Sequence, residues 1–115
     1  MKSRLPYLQV FITVPNRTTA QKITRTLLEK KLAACVQIAG PITSRYWWQK
    51  KIALSREYLC IVKTDRSSYP ALEKTVKALH PYDVPEIIAL PIATGYEKYL
   101  NWLKATLNKA DPHHN

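Results

Sequence analysis

The densest group of chemically active side chains lies in the segment His80-Pro81-Tyr82-Asp83-Val84-Pro85-Glu86. An imidazole can bind a metal ion or shuttle a proton near neutral pH. Asp83 and Glu86 are close enough in sequence to hydrogen-bond the ring of His80 or to share its metal. The prolines stiffen the segment, as suits a binding loop. The alternative is structural, with His80 capping a preceding helix and Glu86 pairing with a basic neighbour.

The two cysteines add little chemistry of their own. Cys35 follows two alanines and Cys60 lies inside an apolar run, so both are expected to be buried, reduced thiols. The chain has no CxxC, HExxH or G-x-S-x-G motif, which disfavours a zinc site within one chain and a serine hydrolase. His113 and His114 near the C-terminus could bind copper or nickel incidentally. Nothing in these motifs calls for an enzyme.

Charge is strongly asymmetric along the 115 residues, which carry a net charge of +10. Residues 1–56 hold eleven Lys and Arg against one acid, Glu29, whereas residues 57–115 hold seven of each. A basic half favours phosphates, nucleic acid or acidic partners, and its alternative is a solvated surface. The segment 45–51 (RYWWQKK) resembles a platform for single-stranded nucleic acid. We expect its rings to fill an interface instead, so nucleic acid is not predicted.

Alternating and helical patterns predict seven elements and one domain. The predicted strands are 8–14, 33–38 continued by 42–52, 57–63 and 85–92. The predicted helices are 16–31, one that opens at Ser67 or Ser68 and stops at His80, and 96–107. Thr18 with Gln21 and Thr94 with Glu97 fit capping boxes, and the chain is expected to turn back between residues 50 and 56. The order βαββαβ plus a C-terminal helix predicts an α+β, ferredoxin-like sandwich with an antiparallel sheet and the helices on one face. We expect this domain to span residues 7–108, with flexible tails at 1–6 and 109–115.

The middle strands are too long and too aromatic for one small domain to cover. Ser44, Tyr46 and Trp48 fall on one face and Arg45 and Trp47 on the other. Their exposure predicts oligomerisation. The chain also lacks an apolar run of the ~18 residues that a membrane span needs and a signal peptide pattern, so we expect a cytoplasmic protein without a membrane partner.

Five ordered motifs resemble the CutA family of divalent cation tolerance proteins. They are Leu32-Ala33-Ala34-Cys35-Val36, Ile42-x-Ser44-x-Tyr46-x-Trp48, Glu57 with Lys63-Thr64, His80-Pro81-Tyr82-x-x-Pro85-Glu86-Ile87, and Tyr99-Leu100-x-Trp102. The resemblance implies a non-enzymatic, ferredoxin-like homotrimer linked with tolerance to copper and other divalent metal ions. It also implies a likeness to PII signalling proteins, so the alternative function is a sensor that binds an anionic small molecule between subunits.

The resemblance places the functional residues in a cleft between subunits. The cleft residues it implies are Ser44, Tyr46, Trp48, Lys63, His80, Tyr82, Glu86 and Trp102. Bacterial members that bind copper use a Cys and two His at the positions of Ile12, Leu79 and His80, so His80 alone remains. The metal candidates are therefore His80, with Cys35 and Glu86 as further ligands. No cofactor is required, and a divalent ion such as Cu²⁺ is the candidate. Lys50 stands where members usually have Gly, which predicts a local change in the hairpin.

Overall fold

The structure, a computed structural model, describes residues 5–108. Its elements in chain order are β1 (Tyr7–Val14), α1 (Arg17–Glu29), β2 (Cys35–Trp48), β3 (Lys51–Asp65), α2 (Tyr69–Leu79), β4 (Ile87–Pro91) and α3 (Glu97–Leu107). The predicted α+β, ferredoxin-like order with an added C-terminal helix is confirmed. Apart from Leu5 and Pro6, the predicted tails lie outside the described residues, and so do His113 and His114.

The four strands form one antiparallel sheet in the order β2-β3-β1-β4. β1 is central because its apolar alternation is the strongest in the chain, and it pairs with β3 on one side and β4 on the other. β4 lies at an edge, as its flanking prolines predicted, since proline cannot donate a ladder hydrogen bond. The second edge is β2.

The main core fills the space between one face of the sheet and the helices α1 and α2. Every second residue of β1 enters it, and each helix adds one apolar stripe. The largest fully buried apolar side chains of this core are Val10, Ile12, Val14, Ile23, Leu27, Val62, Leu72 and Val76. α2 ends at Leu79, before Pro81, as predicted.

α3 packs on the other face of the sheet, so the prediction that all helices share one face is wrong. Its buried residues Leu103 and Leu107 contact Ala34 and Tyr7, and the side chain of Tyr7 points away from the face that carries Leu8. Tyr99, predicted to be buried, is half-exposed. The helix covers only one end of this second face.

The two predicted capping boxes do not form. Asn16 caps α1, its side-chain oxygen accepting a hydrogen bond from the Thr19 amide at 2.8 Å. α3 has no side-chain cap, and its first turn begins after Tyr96. Asn is a better N-cap than Thr and lies two residues closer to Pro15, so it takes the position.

The β2–β3 hairpin turns earlier than predicted. Trp48 pairs with Lys51, so the turn is only Gln49 and Lys50, at φ 51° and 67°. The expected turn between residues 50 and 56 is wrong because that segment continues the ladder, which places Ser44 opposite Ser55. Residues 42–57 therefore form a long two-stranded projection, hereafter the arm. The glycine that usually marks a two-residue turn is missing here, so the sequence pattern did not indicate where the turn lies.

A β-bulge separates the arm from the rest of β2. The register steps from Ala39↔Leu59 to Ile42↔Glu57, so β2 carries one extra residue at this point. Gly40 has φ 147°, and a Cβ at this position would lie 2.8 Å from Cδ2 of Tyr58. The bulge therefore requires glycine for both conformation and space.

Candidate functional site

His80 lies just after α2 and is buried with both ring nitrogens engaged. Nε2 lies 2.7 Å from the Thr13 carbonyl oxygen, and Nδ1 accepts a hydrogen bond from the Tyr82 amide at 3.1 Å. Because a carbonyl oxygen only accepts, Nε2 carries the proton and donates it. The ring also packs on that of Tyr82, with centroids 4.8 Å apart. The hydrogen bonds of His80 thus connect the loop after α2 to the end of β1.

The other two predicted metal ligands lie in different places. Glu86 is exposed, and its Oε1 lies 3.5 Å from the Thr13 hydroxyl, near the strand end to which His80 binds. Cys35 pairs with Lys63, whose β1 partner is Gln9. That rung is four residues from Thr13, or roughly 13 Å along the strand.

A copper ion does not fit these three residues within one chain. No group of three or more His, Cys, Asp or Glu side chains in residues 5–108 is arranged to hold a metal ion. The ring of His80 has no free lone pair unless its bond to the Tyr82 amide breaks. Soft or imidazole ligands must be held together to bind copper well, and here they are not.

The predicted cleft residues separate into two groups. Ser44, Tyr46 and Trp48 lie on one face of the arm, since their partners Ser55, Ala53 and Lys51 alternate along β3. Their face is the one that the pattern predicted. At the other end of the sheet, the Lys63 ammonium donates to the Gln37 side chain at 3.0 Å.

Trp102 belongs to this second group. Its ring centroid lies 5.5 Å from that of Tyr99, whose hydroxyl interacts with the Cys35 thiol. Burial, followed by the interaction with Cys35, raises the pKa of Tyr99. Burial alone raises the pKa of the second thiol, Cys60, to about 11, which makes Cys60 unreactive near neutral pH.

Glu57, at the centre of the first group, was not among the predicted site residues. It is only 6% exposed, and its Oε2 accepts a hydrogen bond from the Tyr82 hydroxyl at 3.0 Å. Nearby, the hydroxyls of Tyr46 and Ser55 are 2.6 Å apart. Period-two alternation along β3 puts Ser55 and Glu57 on one face, but the predicted strand began at residue 57 and left Ser55 in the expected turn. Tyr82 joins them from the loop after α2.

The pKa of Tyr82 is raised to about 12, first by burial, then by its hydrogen bond to Glu57 and by the nearby charges of Glu57 and Tyr46. The phenol therefore stays protonated and donating across the physiological pH range. Glu57, Tyr82, Tyr46 and Ser55 are called the arm-base cluster below.

No helix in residues 5–108 is long and apolar enough to cross a membrane.

Comparison with known proteins gives one consistent family. Residues 8–106 match the sequence model of the CutA1 divalent ion tolerance protein. The divalent-cation tolerance protein CutA of Thermus thermophilus is 50% identical over 95 residues, which are 83% of this chain and 92% of that protein. Rice chloroplastic CutA 1 is 48% identical over 100 residues, 87% of this chain but 56% of the relative. The crystal structure of rice CutA1 superposes with a TM-score of 0.88 at 45% identity, covering 92% of this chain and 97% of that one.

Proposed function

Because the chain belongs to the CutA1 divalent ion tolerance family, we propose that it acts in the cellular response to divalent metal ions as a homotrimer and catalyses no reaction. The match over residues 8–106 carries the metal-ion role, since it spans nearly the whole domain. The cytoplasm is the location we propose. Two unpaired thiols, Cys35 and Cys60, suit its reducing conditions.

The arm supports the proposed assembly. Trp47 is 73% exposed and Leu54 is 61% exposed on one face, while Tyr46 and Trp48 are exposed on the other. Contiguous exposed apolar surface on a small domain marks an interaction site. Large apolar side chains on both faces of the same ribbon need two neighbours, which suits a ring of subunits better than an isolated pair.

The uncovered face of the sheet also supports the proposed assembly. Ile88 and Leu90 of the edge strand β4 are half-exposed on the face that α3 leaves uncovered. An exposed apolar edge is normally paired or covered in a native protein. Copies of the same chain would cover the arm and this edge together.

Sedimentation equilibrium tests the assembly. We expect a mass three times the 13.3 kDa of one chain, and dissociation when Trp47 and Leu54 are both changed to Ser. Leu28→Ser is the matched control, because Leu28 is an exposed apolar residue of α1 outside the arm. A wild-type protein that stays monomeric at all concentrations would contradict the trimer.

The role of copper is tested separately. Since the residues of one chain do not fit a copper ion, we expect Cu²⁺ titration of a chain ending at Asn108 to give the same affinity in wild type and in His80→Asn. A large loss of Cu²⁺ affinity in the variant would show that His80 is a metal ligand after all. For the function itself, cells lacking their own family member should lose growth at raised Cu²⁺ and regain it with this chain.

The alternative of an anionic ligand gains no support at the arm-base cluster. The charged side chain there is the carboxylate of Glu57, which would repel an anion.

A further inference from the structure

Glu57 is a nearly buried acid with little to balance it. Among residues 5–108, the Tyr82 hydroxyl is the hydrogen-bond donor to its carboxylate, and no Lys, Arg or His nitrogen lies within ion-pair distance. Taking a carboxylate out of water is costly unless a cation or several donors compensate. A single phenol compensates only part of that cost.

The second carboxylate oxygen faces an opening. No buried side-chain oxygen or nitrogen of the described residues lacks a hydrogen-bond partner. Because Oε1 of Glu57 receives no such bond from residues 5–108, it must reach the surface. Two half-exposed tyrosines lie on this side of the arm. Tyr82 bonds the other oxygen of Glu57, and Tyr46 is near enough to Tyr82 to raise the pKa of its phenol.

The charged and hydrogen-bonding groups at this opening determine the charge and the chemical type of the ligand that can bind. Anions are repelled by Glu57, and soft metal ions find no free imidazole or thiol, since the nearby ring of His80 is fully hydrogen-bonded. Hard divalent ions need six or more oxygen ligands, usually several of them charged, and one carboxylate supplies too few of them. An N–H-bearing cation instead needs one carboxylate oxygen and gains from aromatic faces.

We infer that Glu57, Tyr46 and Tyr82 form a binding site for an ammonium or guanidinium group. That group is either a Lys or Arg side chain from a second copy of this chain or a free small amine. In both cases its N–H donates to Oε1 of Glu57, and its charge lies against the tyrosine rings. The inference does not depend on the metal-ion role.

A second Tyr–Glu pair in the same chain provides a matched control. The Tyr69 hydroxyl donates to Oε2 of Glu73 at 3.0 Å, the same bond as in the arm-base cluster, but Glu73 is exposed. Glu57→Gln and Glu73→Gln each remove one charge and keep an acceptor for the tyrosine. The two variants therefore differ in burial and surroundings alone.

The first measurement is the urea midpoint of the full chain at neutral pH. If a cation occupies the site, Glu57→Gln lowers the midpoint while Glu73→Gln leaves it nearly unchanged. If Glu57→Gln is as stable as wild type or more stable even in the presence of methylammonium, no cation balances the buried charge, and that result would overturn the inference.

The second measurement identifies the source of the cation. A partner's side chain predicts that Glu57→Gln weakens self-association by a factor of about 30 or more, with no such effect of Glu73→Gln. A free amine predicts unchanged association, and a midpoint that methylammonium raises in wild type but not in Glu57→Gln.

Tetramethylammonium, which has the same charge but no N–H, is the control ligand and should raise the midpoint less than methylammonium does, because it can contact the rings but cannot donate to Glu57. A Glu57→Gln variant that changes neither association nor the response to methylammonium refutes the site. Growth at raised Cu²⁺ tests the proposed function independently of all three readouts.

Discussion

The body of the protein and its arm are built from the same kind of strand but are stabilised differently. In the body, β1 and the inner part of β3 pack against α1 and α2, and Val10, Ile12 and Val62 have no exposed surface. In the arm, residues 42–57, the one buried side chain is a carboxylate, Glu57. The body thus has its own hydrophobic core. The arm depends on the hydrogen bonds between its two strands and on the surface that covers its exposed apolar side chains. The longest dimension of the chain, 51 Å, matches the roughly 50 Å that the 15 residues of β3 span when extended.

Truncating one leucine in each region should give the largest contrast. Leu27→Ala in α1 is expected to lower the free energy of unfolding by about 2–5 kcal/mol, because a fully buried side chain leaves a cavity. Leu54→Ala in the arm should change the unfolding of the dissociated chain by less than about 0.5 kcal/mol and act on association instead. Urea unfolding at protein concentrations above and below dissociation measures both. Equal losses in the dissociated chain would end the distinction between body and arm.

The junction between the two regions should be intermediate. His80→Ala leaves the Thr13 carbonyl and the Tyr82 amide without their partner, so we expect a loss of about 1–3 kcal/mol. His80→Asn can restore one of the two hydrogen bonds and should recover part of the loss. An alanine variant as stable as wild type would show that the loop does not rely on this ring.

Alkaline pH should affect the body before the arm. Burial raises the pKa of Cys60 from 9.0 to about 11. The folded state therefore retains the proton longer than the unfolded state, and stability is lost as pH rises above 9. We expect a loss of about 1 kcal/mol between pH 8 and pH 10, which Cys60→Ala abolishes. Tyr82, with a pKa raised from 10.0 to about 12, should add its loss only above pH 10. A flat profile in wild type up to pH 10 would contradict the burial of the thiol.

The hairpin turn should show the smallest effect, and with the opposite sign. Gln49 and Lys50 both adopt φ > 0 without being glycine, which is unfavourable for residues with a Cβ. Lys50→Gly is expected to stabilise the arm by a few tenths to about 1 kcal/mol, after the entropy cost of glycine is counted. The control is Lys51→Gly, at a paired strand position, which should destabilise. Unfolding of the assembled protein measures both, and a destabilised Lys50→Gly would mean that the turn is not strained.

The sequence predicted the body well and the arm poorly, for a physical reason. In the body, the alternation of Leu8 to Val14 and the helical spacing of Ile23 and Leu27 record burial directly, so strand, helix and core followed. In the arm, no buried apolar face constrains the pattern, and the turn uses Gln49 and Lys50 instead of glycine. The hairpin was therefore shortened and its turn placed too late.

The candidate site was harder because it depends on contacts between distant segments. The sequence identified His80, Tyr82 and Glu86 as one cluster, but not that His80 is fully hydrogen-bonded. It treated Glu57 only as part of a motif, because the bond from Tyr82 joins residues 25 positions apart. Such a pairing depends on how α2 lies on the sheet, which spacing alone does not give.

The bulge at Gly40 has a consequence for how this protein can vary. With one extra residue in β2, the even-numbered residues from Ile42 to Trp48 share a face with Glu57, although before the bulge the odd-numbered residues of β2 occupy that face. Losing one residue at the bulge would make the ladder regular while keeping both Ala39↔Leu59 and Ile42↔Glu57, so Tyr46 would stay on the face of the carboxylate. Such a deletion would remove the bend and the extra twist that the bulge introduces, and would so re-aim the whole arm without changing any of its amino acids or the faces on which they lie.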